Sequence, residues 1–143
     1  MYRLRDANVH DKELLINYKL STILEYAKDL SKDEAQRIYD YVKTSVSEFL
    51  SAYKIVEVDG VCVGSFLVIE YEDGAMLDEI YIDYDYRNKG MGTDIIKNVL
   101  GKHSVVYLWV YKNNERARKL YQELGFVLEK ETETRYFMKH VSN

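Results

Sequence analysis

The stretch from Leu77 to Thr93 carries the plainest chemistry in the chain. It runs from an apolar segment through a polar turn into Arg87-x-x-Gly90-x-Gly92, at the opening of a predicted helix. Helix N-termini expose unpaired backbone N–H groups and a partial positive charge, so they receive anions. Glycines at 90 and 92 would let that backbone approach a diphosphate with no Cβ in the way. Arg87 and Lys89 add positive charge beside it. The pattern is not a Walker loop, because the Gly-Lys-Ser/Thr ending is missing. It is not a dinucleotide fingerprint, because Ile95 stands where the third glycine would be. Taken alone, two glycines before a helix fit a loop that needs positive φ better than a binding site.

Other reactive side chains are read against their ordinary roles. Asp78 and Glu79 are adjacent on the strand entering this loop, and adjacent strand residues point to opposite faces, so only one can face a cleft. Tyr121 shares a helix face with Ala117, Leu120 and Leu124, which by itself describes a core tyrosine. Asn114 stands at that helix's N-cap. Lys97, Arg116, Arg118 and Lys119 form a loose basic group that suits either a phosphate or a solvated helix face. His10, His103 and His140 are scattered without metal-ligand spacing, so no metal is assigned. Cys62, within Val61-Cys62-Val63, reads as a small buried hydrophobe.

These residues need a scaffold, and the periodicities supply one. Residues 2–6 alternate as a first strand. Asn8 and Asp11 precede a helical stretch with Leu14, Leu15, Tyr18, Ile23, Leu24 and Ala27. Ser31 and Glu34 form a capping box before a helix whose inward residues are Ile38, Val42, Val46 and Phe49. Residues 53–57 and 61–71 are β-rich around the hairpin signal Asp59-Gly60, and 75–83 follows as a third strand. Helices are expected over 90–100, with Ile95, Ile96, Val99 and Leu100 inward, and over 114–124, closed by Gly125. Residues 105–111 read as a central strand covered on both faces, and 126–130 and 134–140 as a closing pair. The order β-α-α-β-β-β-α-β-α-β-β predicts an α/β fold with a mixed sheet and helices on both of its faces.

Composition narrows the partners. A chain of 143 residues with 47% hydrophobic and 31% charged residues suits one globular domain, here 1–143. A net charge of −4 argues against nucleic acid as the main partner. The single cysteine rules out an internal disulfide and fits a reducing, cytoplasmic compartment. The charged N-terminus lacks a signal-peptide pattern, and no apolar run is long enough for a bilayer, so neither secretion nor membrane insertion is expected.

Arg87-x-x-Gly90-x-Gly92 resembles the Gln/Arg-x-x-Gly-x-Gly/Ala signature of the GNAT acetyltransferases. Asn114-x-x-Ala117-x-x-x-Tyr121-x-x-x-Gly125-Phe126 resembles that family's second element, and Arg3-Leu4-Arg5-Asp6-Ala7 its first strand. The resemblance spans essentially the whole chain. It implies a central, mostly antiparallel sheet of about seven strands with four helices. It also implies an N-acetyltransferase that moves an acetyl group from acetyl-CoA to a primary amine of a small molecule or peptide, by direct attack in a ternary complex. The alternative is an acyl-CoA-binding sensor of the same fold.

By the same resemblance the CoA diphosphate lies on Arg87, Asn88, Lys89, Gly90, Met91, Gly92 and Thr93. Pantetheine pairs along Tyr81, Ile82 and Asp83, with the main-chain N–H near Ile82 facing the thioester oxygen, and Asn114 also contacts it. Tyr121 protonates the leaving thiolate. Asp78, at the place where polyamine-type enzymes carry a glutamate, or Glu79 beside it, is the base. A homodimer is compatible with this reading.

Overall fold

The computed structural model describes residues 1–142. Its elements are β1 (Arg3–Asp6), α1 (Lys12–Tyr26), α2 (Lys32–Phe49), β2 (Tyr53–Val58), β3 (Val61–Tyr71), β4 (Gly74–Ile82), α3 (Met91–Lys102), β5 (Val105–Tyr111), α4 (Glu115–Glu123), β6 (Val127–Glu131) and β7 (Arg135–Val141). The strands form one seven-stranded sheet in the order β1-β2-β3-β4-β5-β7-β6. β1 with β2, β2 with β3, β5 with β7 and β6 with β7 run antiparallel. β4 and β5 are parallel, coupling Ala75 with Val106 and Met76 with Tyr107. The sheet is mixed, as the element order predicts, and mostly antiparallel, as the family resemblance implies.

The backbone packs as two compact units, 1–67 with 79–86, and 68–78 with 87 onward, so the division falls within β3 and β4. In the first unit, α1 and α2 bury Leu15, Val42 and Val46, while β2 and β3 bury Tyr53, Ile55, Val63 and Leu67. The Ser31–Glu34 capping box starts α2 with both reciprocal hydrogen bonds in place. Asp59 and Gly60 both take positive φ, as the tight β2–β3 hairpin requires. At Gly64 a Cβ would lie 2.2 Å from the Tyr81 carbonyl oxygen, so β3 passes β4 at a distance only glycine permits.

In the second unit, Ile95, Ile96 and Val99 of α3 are buried, as are Val106, Leu108 and Val110 of β5. Some details differ from the sequence-based expectation. Leu24 is half exposed near the C-terminal end of α1. Leu100 and Cys62 are only partly buried, and the Cys62 sulfur lies beside the Tyr18 hydroxyl. β5 is sealed on one face only. On the other face Val105, Trp109 and Tyr111 are partly exposed, and long cations overlie aromatic rings of β5 and of its neighbour β7. Lys139 lies over Tyr107, Arg135 over Trp109 and Lys130 over Phe137, at 5.5, 4.6 and 5.1 Å from the ring centres. Their aliphatic stems shield rings that an apolar partner would otherwise cover.

Candidate active site

The loop before α3 is shaped by two left-handed residues, Asn88 at φ 64° and Gly90 at φ 86°. Gly90 is the N-cap of α3 rather than its first residue, and no side chain caps the helix there. A Cβ built at Gly90 or at Gly92 would meet nothing within 4 Å. Gly90 is needed for its backbone conformation, whereas Gly92 does not have the positive φ that would require glycine. Its missing side chain instead leaves the opening turn of the helix bare. An uncapped helix N-terminus with open space before it, flanked by Arg87 and Lys89, fits a diphosphate.

The end of β4 belongs to the first unit. Tyr81 stacks on Tyr18 of α1, their ring centres 4.3 Å apart. The Tyr18 hydroxyl lies 3.5 Å from the Cys62 sulfur. Burial pushes the Tyr18 phenol well above its ordinary pKa, and the bond to Cys62 adds to the shift. The Asp83 N–H donates to the Val63 carbonyl at 2.7 Å, which commits that amide to the fold.

Glu79 is held by groups that the sequence did not single out. Its Oε2 accepts from the Tyr53 hydroxyl at 2.9 Å and pairs with Lys19 Nζ at 3.3 Å. Lys19 also donates to Ser45 Oγ at 3.4 Å. The Lys19 and Glu79 side chains are only 9% and 7% exposed. A signal did exist, because Lys19 lies one turn after the fully buried Leu15 and next to the buried Tyr18, an inward register for a charged residue. Asp78, the other strand carboxylate, is partly exposed.

In the second unit, Asn114 caps α4 by accepting from the Ala117 N–H at 3.2 Å. Tyr121 is 8% exposed and meets Phe126 edge-on at 5.7 Å. Gly125 closes the helix at φ 101°, and the Phe126 N–H returns to the Tyr121 carbonyl. The loose basic group divides: Lys97, Arg116 and Lys119 are exposed, while Arg118 lies over the Tyr136 ring near Glu115. Among the described residues no cluster of His, Cys, Asp or Glu could hold a metal, and no helix is long and apolar enough to cross a membrane. Of the residues expected in the site, Glu79, Tyr81, Ile82 and Asp83 thus fall in one unit. Asp78, Arg87–Thr93, Asn114 and Tyr121 fall in the other.

The profile of the Acetyltransferase (GNAT) family matches residues 18–126. The chain belongs to the GNAT acetyltransferase family. An uncharacterized N-acetyltransferase of Methanocaldococcus jannaschii is 32% identical over 99 residues, covering 60% of this chain and 43% of that protein. The spermine/spermidine N(1)-acetyltransferase of Bacillus subtilis is 38% identical over 56 residues, covering 35% of this chain and 37% of that protein. The chain therefore spans less than half the length of these curated relatives. Among solved structures, the PaiA N-acetyltransferase of Thermoplasma acidophilum in complex with coenzyme A superposes with a TM-score of 0.79 at 18% identity, over 99% of both chains. Ard1 of Thermoplasma volcanium gives 0.72 at 17% identity, over 99% of this chain and 98% of that one.

Proposed function

We propose that this protein transfers an acetyl group from acetyl-CoA to a primary amine by direct attack. The observation that carries the reading is the bare N-terminus of α3, with Gly90 left-handed and open space at Gly90 and Gly92. Its backbone N–H groups would take the CoA diphosphate, with Arg87 and Lys89 alongside. Family membership and the coenzyme A bound by the Thermoplasma acidophilum relative support this ligand.

The Ile82 N–H then stabilises the charge that develops on the thioester oxygen. The neighbouring Asp83 amide is spent on Val63 and is not a second donor. Tyr121 delivers a proton to the departing thiolate, a plausible transfer between groups with ordinary pKa values of about 10 and 8.5. An alkylamine is mostly protonated at neutral pH and attacks only as the free base, so a carboxylate must take its proton, directly or through water. The hydrogen bond from Tyr53 and the ion pair with Lys19 hold Glu79 as a structural anion. That leaves Asp78 as the base. The acceptor is a small amine or a peptide amine.

Thiol release from acetyl-CoA in the presence of a panel of amines tests the reading. Turnover with at least one amine is expected. Tight acetyl-CoA binding without turnover on any amine would instead favour an acyl-CoA sensor.

A further inference from the structure

Two cations converge on one indole without a counter-ion. Arg135, the first residue of β7, holds its guanidinium carbon 4.6 Å from the centre of the Trp109 ring, and Lys130 of β6 holds its Nζ 5.9 Å from it. Their neighbours are paired: Lys112 with Glu131 at 3.2 Å and Lys139 with Glu129 at 3.6 Å. Among the described residues no carboxylate lies within ion-pair distance of Arg135 or Lys130. Like charges gathered at one ring repel, and a bound anion would relieve that repulsion. The backbone of Arg135 is fixed by the β6–β7 turn. Its N–H donates to Thr132 Oγ1 at 3.0 Å, and its carbonyl accepts from the Thr132 N–H at 2.8 Å. A guanidinium over an indole interacts through its face, which leaves its in-plane N–H fork for a carboxylate.

The place of this pair on the sheet gives it a function. β4 and β5 are paired at Met76 and Tyr107. Asp78 and Trp109 follow two residues later on the same face of these neighbouring strands. The carboxylate read above as the base and the indole beneath the two cations are therefore adjacent on one open sheet face. Trp109 and Arg135 are partly exposed and Lys130 is fully so. Lys130 and Phe137 also line a cavity of about 510 Å³. Its other charged walls, Glu72, Asp73 and Glu129, are acidic, so an anion is favoured only beside Lys130 and Arg135. An acceptor whose amine lay at Asp78 would meet positive charge at Trp109. That charge attracts a carboxylate on the acceptor and repels a second ammonium.

We propose that Arg135, with Lys130 beside it over Trp109, is a specificity-determining residue that binds a carboxylate on the acceptor, so that the enzyme prefers amines bearing an acidic group over plain alkylamines and diamines. This rests on the acetyltransferase reading above and refines its substrate class. It assigns Arg135 no part in the chemical step.

The test compares 6-aminohexanoate, hexylamine and hexamethylenediamine, which share a six-carbon chain and differ in the group at its far end. Wild type should favour 6-aminohexanoate over each of the others by roughly tenfold or more in kcat/KM. Arg135→Met keeps an apolar cover over Trp109 and removes the fork, and should cut that preference by about tenfold. Added salt should erode the preference in wild type, because the contact is partly exposed. A wild type that takes the three amines equally overturns the proposal, with no variant required should Arg135→Met fail to fold. So does a folded Arg135→Met with an unchanged ratio. Calorimetric titration of 6-aminohexanoate into wild type and Arg135→Met separates this idea from the transfer reading. If no amine is turned over, transfer fails, while tighter binding by wild type than by Arg135→Met would still support a carboxylate site at Arg135. Equal binding by the two proteins would overturn it.

Discussion

In the proposed mechanism Tyr121 is the residue on which the chemical step depends most. Its buried ring packs on Phe126, so Tyr121→Phe preserves the packing and removes only the hydroxyl. A positioned general acid typically contributes roughly 10²–10⁴-fold. The substitution should lower kcat by about that factor and leave acetyl-CoA affinity and melting temperature nearly unchanged. Near-wild-type turnover would reduce Tyr121 to a core residue. The two strand carboxylates should part company in the same kind of experiment. Glu79→Gln breaks a buried ion pair and leaves the Lys19 ammonium uncompensated, a change that typically costs about 3–5 kcal/mol of stability. Asp78→Asn should instead lower kcat/KM most near neutrality and recover in part at high pH, where free amine is abundant. Equal melting temperatures for the two variants, or an Asp78→Asn profile identical to wild type, would reverse the assignment. Tyr121 was picked out by the family resemblance of the segment from Asn114 to Phe126, whereas its helix face alone describes a core tyrosine. Lys19 was not, because what it touches comes from α2, β2 and β4, far away in sequence, and only its inward register hinted at burial.

Elements are held in place by a few contacts whose strength can be measured. Arg5 of β1 makes a two-pronged bond to Asp11, 2.9 Å on each side, and also binds Glu57 of β2. Asp11 in turn accepts from the Asn8 N–H at 2.8 Å, so one carboxylate ties the first strand to the start of α1. The Arg5 bond holds the Asp11 carboxyl below its ordinary pKa. A group depressed in the folded state stabilises it above the unfolded value, about 3.9, and that contribution is lost as pH falls through the folded value. Asp11→Asn should therefore cost about 1 kcal/mol at neutral pH, discounted because Arg5 faces solvent. The difference from wild type should shrink below about pH 4. A gap independent of pH would mean that shape and not charge supplies the contact. Gly64→Ala tests the close approach of β3 to β4. Its Cβ would overlap the Tyr81 carbonyl, so a loss of about 3 kcal/mol in a denaturant titration is expected. The capping box, the hairpin and the order of elements along the chain were all readable locally, since each depends on neighbours within a few residues. The need for glycine at 64 was not, because it arises from a crossing with a strand almost twenty residues away.

At the scale of the whole molecule, local patterns set the element order and the element order matched the sheet. What sequence could not supply was the covering of the sheet face at β5, where cationic side chains from β6 and β7 lie over the aromatic rings. The motif of the candidate site was legible because anion binding at a helix N-terminus needs only a short, contiguous segment. The contacts of Glu79 with Lys19 and Tyr53 come from separate elements and became readable only in three dimensions. The central claim is that the bare opening of α3 takes acetyl-CoA. Gly92 allows this to be tested cleanly, because the space before it is empty and it lacks the positive φ that would strain a side chain there. Gly92→Val should fold as wild type does and yet block the approach of a diphosphate. Isothermal titration of acetyl-CoA into wild type and Gly92→Val is the most direct measurement. The account predicts clear binding to wild type and a loss of at least tenfold in the variant, with an unchanged melting temperature. Equal affinity in the two proteins would contradict it.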